Sequence, residues 1–294
     1  VGTHQHDHHQ HQHHHQHGHH QHGHHGDAFD WDAMADRLAL DAAIVEPITR
    51  QVITELQGSF THVLDVGCGP GAVAMTIAEL APNATVTALD SSTPLLQRVQ
   101  ARATSAGVAH RLHAVEGDLE HELPPLPAAD LVWAGMVLHH VSQPVATLQR
   151  LHRQLVPGGT LAMMEFGRAP SVLRDDDPLV TSGTWSRFQA ATTASLNERL
   201  GLDPVAVDWP ALLAVAGFAD VTDRNLEAAH PTPPSATVRA WLVPHVERGV
   251  EMAGDRLEAG DAAALLAFAA TVPHRDDLAV VARRRIVTAR RTAD

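Results

Sequence analysis

Residues 63–71 read Val63-Leu64-Asp65-Val66-Gly67-Cys68-Gly69-Pro70-Gly71, and the fold is decided there. Val63, Leu64 and Val66 suit a parallel strand buried on both faces. Gly67, Gly69 and Gly71 follow at once, where the backbone can turn sharply and lie against a ligand that any Cβ would block. The apolar-periodic segment from Ala72 to Leu80 reads as the helix opened by this turn, its first turn facing the same place. A glycine turn of this kind is shared with proteins that set a pyrophosphate on a helix N-terminus, so its surroundings must choose the ligand.

The surroundings are acidic. Asp65 lies two residues before the first glycine, suited to the positive amino-acid end of a ligand. A second strand, Ala84 to Leu89, runs into Asp90 and Ser91, and an acid at that point serves to bind both hydroxyls of a ribose. A third segment, Arg111 to Glu116, runs into Gly117-Asp118-Leu119, where a carboxylate can accept from an adenine amino group. Three carboxylates at three successive strand ends fit a cationic adenosine with an amino-acid tail and would repel the phosphates of a dinucleotide. Their structural alternative is to act as caps and turn formers.

These residues resemble the class I S-adenosylmethionine-dependent methyltransferases, and the likeness continues in order along the chain. Ala129-Asp130-Leu131-Val132-Trp133-Ala134 is similar to the family's fourth strand, and Val137-Leu138-His139-His140-Val141 to the turn after it. Leu151 to Leu161, through Pro157-Gly158-Gly159, is similar to its helix, tight turn and fifth strand. Motifs in the right order over residues 60–166 are far more specific than one glycine pattern. The resemblance implies an α/β, doubly wound, seven-stranded and mostly parallel sheet in the order 3-2-1-4-5-7-6. Its last strand is antiparallel, and the cofactor crosses the carboxyl ends near strands 1 and 4. It also implies S-adenosylmethionine as cofactor, held by Asp65, Gly67, Gly69, Gly71, Asp90, Ser91, Gly117, Asp118, Leu119 and Ala134. The implied activity is methyl transfer to a small organic acceptor by in-line displacement, with S-adenosylhomocysteine as product.

In-line displacement needs alignment and exclusion of water, with acid–base help only where the acceptor must lose a proton. For an oxygen acceptor, His139 or His140 is the expected base, because imidazole titrates near neutrality. Glu165 is a further candidate. Adjacent histidines in this turn also occur for structural reasons, and the acceptor atom, O, N, C or S, is left open by these residues, as is the oligomeric state.

Composition narrows the partners. The 294 residues carry 21 Lys and Arg against 34 Asp and Glu, a formal net charge of −13, whereas a nucleic-acid binder needs cations to neutralise phosphates. Relatives that methylate nucleobase or glutamine nitrogens carry Asn or Asp before two prolines at the end of the fourth strand. This chain has Trp133-Ala134-Gly135-Met136 there, so a nucleic-acid substrate is not expected. Hydrophobic residues make up 44%, ample for a core. The polar N-terminus shows no signal peptide, no apolar run reaches membrane length, and the single Cys68 permits no internal disulfide. A cytoplasmic enzyme without membrane contact is expected, with no fixed metal site in its folded part. An NAD-dependent oxidoreductase is the less favoured alternative, since the chain has no tyrosine.

Residues 1–26 are built from His, Gln and Gly and hold more than half of the 24 histidines. Such a tract packs no core and is expected to be disordered. It could bind nickel, copper or zinc, adventitiously or as the working part of a metal-handling protein. Residues 27–294 are expected to form a single domain, with N-terminal helices over 30–57 broken at Pro47 and a cofactor-binding core over 60–166. Two helical cap insertions are expected, at about 168–208 and 230–277, carrying Trp185 and Trp241. The run Arg283-Arg284-Arg285 is expected to decorate an exposed strand.

Overall fold

Val63, Leu64 and Val66 lie in β1 (His62–Val66), every residue of which is buried. The computed structural model describes residues 29–56, 60–172, 177–180 and 183–292. Within them β1 is joined by β2 (Thr85–Asp90), β3 (Leu112–Glu116), β4 (Ala129–Gly135), β5 (Leu155–Phe166), β6 (Ala219–His230) and β7 (Val280–Arg290). The described strands form one sheet in the order β3-β2-β1-β4-β5-β7-β6, as the resemblance implied. The first five strands pair in parallel, while β7 runs antiparallel to both β5 and β6.

Strand alternation sends side chains into two cores. Val63, Leu131, Trp133, Ala162, Met164 and Ile286 face a layer that contains α1 (Trp31–Glu55), α2 (Ala72–Leu80) and α3 (Thr93–Ser105). The same layer holds α5 (Thr184–Leu200), α7 (Ala236–Ala253) and α8 (Ala259–Thr271). Leu64, Val66, Val132, Ala134, Leu161, Met163 and Val287 face α4 (Pro144–Gln154) and α6 (Trp209–Val215). Both faces of the parallel strands are therefore covered, which explains their continuous apolar runs. Each fully buried Leu or Ile side chain contributes about 1.5–3 kcal/mol relative to exposure.

The N-terminal helices differ from expectation. Residues 31–55 form one helix, α1, with Pro47 inside it. Pro47 is exposed while Ile48, Thr49 and Val52 are buried. The missing N–H thus falls on the solvent side, where the freed carbonyl can turn to water, and packing on both sides of the proline keeps the helix continuous. Helix α5 (Thr184–Leu200) lies within residues 168–208, and α7 and α8 lie within residues 230–277. Thr184 and Arg187 of α5 bond Asp261 of α8, with Arg187 Nε donating to Oδ2 at 2.6 Å. The Arg187 bonds, more than that of Thr184, hold the Asp261 carboxyl down to about 2, against the opposing effect of burial. The histidine-rich tract lies outside the described residues, and residues 31–294 cluster as one compact unit. None of the described helices is long and apolar enough to cross a membrane.

Candidate active site

The glycine loop leaves β1 in left-handed backbone, with φ of +64° at Gly67, +54° at Gly69 and +79° at Gly71. A Cβ on Gly67 would stand 2.4 Å from Val137 Cγ2, and one on Gly71 2.8 Å from Val99 Cγ2. The first clash fixes the loop against the turn after β4 and the second against α3. Glycine is required at both for space as well as for φ. Leu38 of α1 passes 3.7 Å from the Cβ position of Gly69, so the N-terminal helix lies over the loop.

Asp90, at the end of β2, accepts from Gly69 N–H at 2.8 Å and from Ser92 N–H at 2.9 Å. Each carboxylate oxygen keeps a further lone pair, so the group is held in place and still able to accept hydroxyls. Ser91 beside it is exposed. Asp65 is 2% exposed and receives the N–H of Ala74, in the first turn of α2. It supplies the cap that Gly71, without a side chain, leaves open. Its Oδ2 is buried without a partner. Burial first, and the neighbouring Asp90 charge second, push its pKa up to about 8. An orphaned carboxyl oxygen at the mouth of a glycine cradle fits a ligand's ammonium group.

The remaining expected contact residues fall along the same edge. Gly117 N–H bonds Asp90 O at 3.0 Å. Asp118 is exposed and closes a local turn, accepting from Glu120 N–H at 2.9 Å and lying 3.1 Å from His121 Nδ1. Its turn-forming role is thus visible directly. Leu119 and Ala134 bury their side chains in the α4 core, which leaves only their main chains to meet a ligand. Cys68 is buried, and burial followed by the Asp65 and Asp90 charges keeps it a thiol. A cavity of about 820 Å³ between α1, α2 and α3 is lined by helix residues such as Arg50, Arg102 and Arg111 and by none of these strand-end acids. It is separate from the cradle.

The turn after β4 gathers ionisable side chains at the end of the sheet. Met136 sits at φ +56°, an unusual backbone for a side-chain-bearing residue, and its N–H bonds Met164 O at 2.7 Å. Residues Leu138–His140 then form a short 3-10 turn. Glu165, wholly buried at the end of β5, accepts from Leu138 N–H at 2.9 Å and lies 2.6 Å from His139 Nδ1. A carboxylate only accepts, so it draws the imidazole proton to Nδ1 and leaves Nε2 of a neutral ring as the acceptor. Phe166 packs edge-on against His139 at 4.7 Å between ring centroids. His140 is exposed as a residue, yet partial burial of its ring, then the charges of His139 and Arg199, lower its pKa to about 4. It is neutral at pH 7 and a poorer proton acceptor. The structure thus brings together two candidates, His139 and Glu165, that sequence treated as separate. Their 26-residue separation is closed by the pairing of β4 with β5.

The arginine run departs from expectation. Arg283 and Arg285 point to one side of β7 and pair with Glu227 and Asp223, whereas Arg284, with the opposite parity, points to the α1/α7 side. Trp185 and Trp241 pack against Phe188 and His245, at 5.0 and 4.3 Å between ring centroids. Among the described residues no three His, Cys, Asp or Glu side chains converge as metal ligands.

Residues 63–159 match the family model described as a methyltransferase domain. An uncharacterized methyltransferase of Mycobacterium bovis is 39% identical over 104 residues, 35% of this chain and 50% of that protein. The demethylmenaquinone methyltransferase of Chlamydia trachomatis serovar L2 is 34% identical over 118 residues, 40% of this chain and 49% of that protein. This chain thus matches about half the length of each. The YcgJ protein of Bacillus subtilis shares the fold, with a TM-score of 0.53 and 14% identity over 84% of this chain and 98% of that one.

Proposed function

We propose that this chain, whose residues 63–159 match a methyltransferase-domain model, is a class I S-adenosylmethionine-dependent methyltransferase that transfers a methyl group to a small organic acceptor. The observation that carries this reading is the cradle itself. Three left-handed glycines sit between a pre-set Asp90 and an orphaned, buried Asp65. A ligand with ribose hydroxyls at one end and an ammonium at the other satisfies both.

S-adenosylmethionine, when bound, supplies a methyl group on a positively charged sulfur. The chain's own residues do the rest. Asp90 would receive the ribose hydroxyls, Asp65 the ammonium, and the exposed Asp118 the adenine amino group, with main chain from Gly67 to Gly71, Ser91, Gly117, Leu119 and Ala134 lining the path. Helix α1, lying over Gly69 through Leu38, excludes water from the loop. His139, oriented by Glu165, takes the proton of an acceptor that must lose one, following the general logic of a carboxylate-steered imidazole. His140 stays neutral at the rim. The enzyme is proposed to work in the cytoplasm on a small molecule rather than on nucleic acid. Neither the metal-handling nor the oxidoreductase alternative gains support from the relatives found.

Thermal unfolding with S-adenosylmethionine, S-adenosylhomocysteine or NAD at equal concentration tests the reading. Both sulfur nucleosides are expected to raise the melting temperature and NAD to leave it unchanged. A shift with NAD alone would contradict it.

A further inference from the structure

Arg284 is a cation in an unusual place. It stands on β7 opposite Phe166 of β5, at the carboxyl edge of the parallel strands and one residue from the Glu165 level. Its Nε is buried without a partner, and among the described residues Nη1 bonds only the carbonyl of Arg283, at 2.8 Å. Among the described residues no carboxylate comes within 4 Å of it to form an ion pair, although Arg283 and Arg285 each have one. Burial outweighs the more distant pull of Asp41 and Glu165 and lowers its pKa.

Its neighbours do not correct the imbalance. Asp41 of α1 is already engaged, accepting from Trp241 Nε1 at 3.0 Å and lying 3.7 Å from Arg37 Nη1. Arg248 of α7 is half-buried and also feels Asp41 and Arg37. His245, stacked on Trp241, feels Asp41, Arg248 and Arg284 together, and burial with these cations holds it neutral with a pKa of about 4. Glu165 is committed to Leu138 N–H and His139. Arg248 also feels Glu247, whereas the two carboxylates that act on Arg284, Asp41 and Glu165, are both engaged elsewhere. Arg284 is thus a guanidinium without a close counter-ion in a chain of net charge −13. Arg284 is half-buried, and a charge withdrawn from water without a close counter-ion costs stability that an anionic ligand group would restore.

We propose that the methyl acceptor carries a carboxylate or similar small anionic group, and that Arg284, assisted by Arg248, binds it beside the His139–Glu165 pair. The inference rests on the methyltransferase reading above and adds the substrate class. Phe166, opposite Arg284, suits the apolar body of such an acid. Arg284 acts as a binding residue and takes no part in proton transfer.

The full chain, saturated with S-adenosylhomocysteine, is titrated at constant ionic strength with acetate and acetamide and with benzoate and benzamide, alongside Arg284→Met and Arg284→Lys. At least one acid is expected to bind about tenfold more tightly than its amide, the margin of a charge-assisted contact. Arg284→Met is expected to lose that preference and Arg284→Lys to keep part of it. Without any acid, Arg284→Met is expected to melt no lower than the parent protein, since a buried unpaired charge has been removed. Equal binding of acids and amides, or a preference that survives in Arg284→Met, would overturn the proposal. If S-adenosylhomocysteine binds normally in that case, the methyltransferase reading stands alone. Failure to bind S-adenosylhomocysteine would remove both.

Discussion

At the scale of single residues, Asp65 and Gly67 carry the sharpest consequences. The Asp65 carboxyl has a folded pKa of about 8, above its ordinary value of 3.8. The stability it lends is therefore complete below about pH 4 and is lost as pH rises through about 8. Each pKa unit is worth about 1.4 kcal/mol, so the ligand-free protein should lose several kcal/mol over that window from this group alone. Asp65→Asn keeps an acceptor for Ala74 N–H and cannot ionise. Urea denaturation at a series of pH values should show a much shallower decline for the variant, and parallel declines would disprove the assignment. Gly67→Ala combines a left-handed φ with a Cβ placed 2.4 Å from Val137 Cγ2. It should destabilise by about 2 kcal/mol or more and weaken nucleoside binding, both readable from melting curves with and without S-adenosylhomocysteine.

At the scale of elements, the structure returns much of what the sequence displays, and the differences have physical causes. Helices over Ala72–Leu80 and Thr93–Ser105 are found at the expected bounds, because Gly71 and Ser92–Pro94 mark their starts in plain composition. Pro47 misled because proline's local cost is visible in sequence, whereas packing on both sides of it is not. Pro47→Ala should restore one backbone hydrogen bond on an exposed face. A gain of about 1–3 kcal/mol in chemical denaturation is expected, with unchanged nucleoside affinity; a loss of stability would show that the proline shapes α1. Strand β6 lacked a legible pattern because it is an edge strand, with Ala228 its one buried residue. The Arg283–Arg285 run looked uniform, and only the parity of β7 separates two surface ion pairs from one inward cation. His139 and Glu165 were each visible, but their union depends on β4 and β5 being neighbours, a tertiary fact.

At the scale of the whole molecule, the sheet gathers acids at one end of its carboxyl edge and cations at the other. Asp65, Asp90 and Asp118 stand at the ends of β1, β2 and β3 or just beyond, and Arg284 stands past β5. His139 and Glu165 lie between these two groups. That order matches a reaction in which a cationic nucleoside is held on one side and an acidic acceptor on the other, with proton transfer at the seam. The central claim is the nucleoside site, and calorimetric titration of S-adenosylhomocysteine into the parent protein and into a folded Asp90→Ala variant tests it most directly. Binding in the micromolar range is expected for the parent, with a loss of at least about tenfold for the variant, the cost of a pair of charge-assisted hydrogen bonds. Absence of binding to the folded parent protein, or equal affinity in the variant, would contradict it.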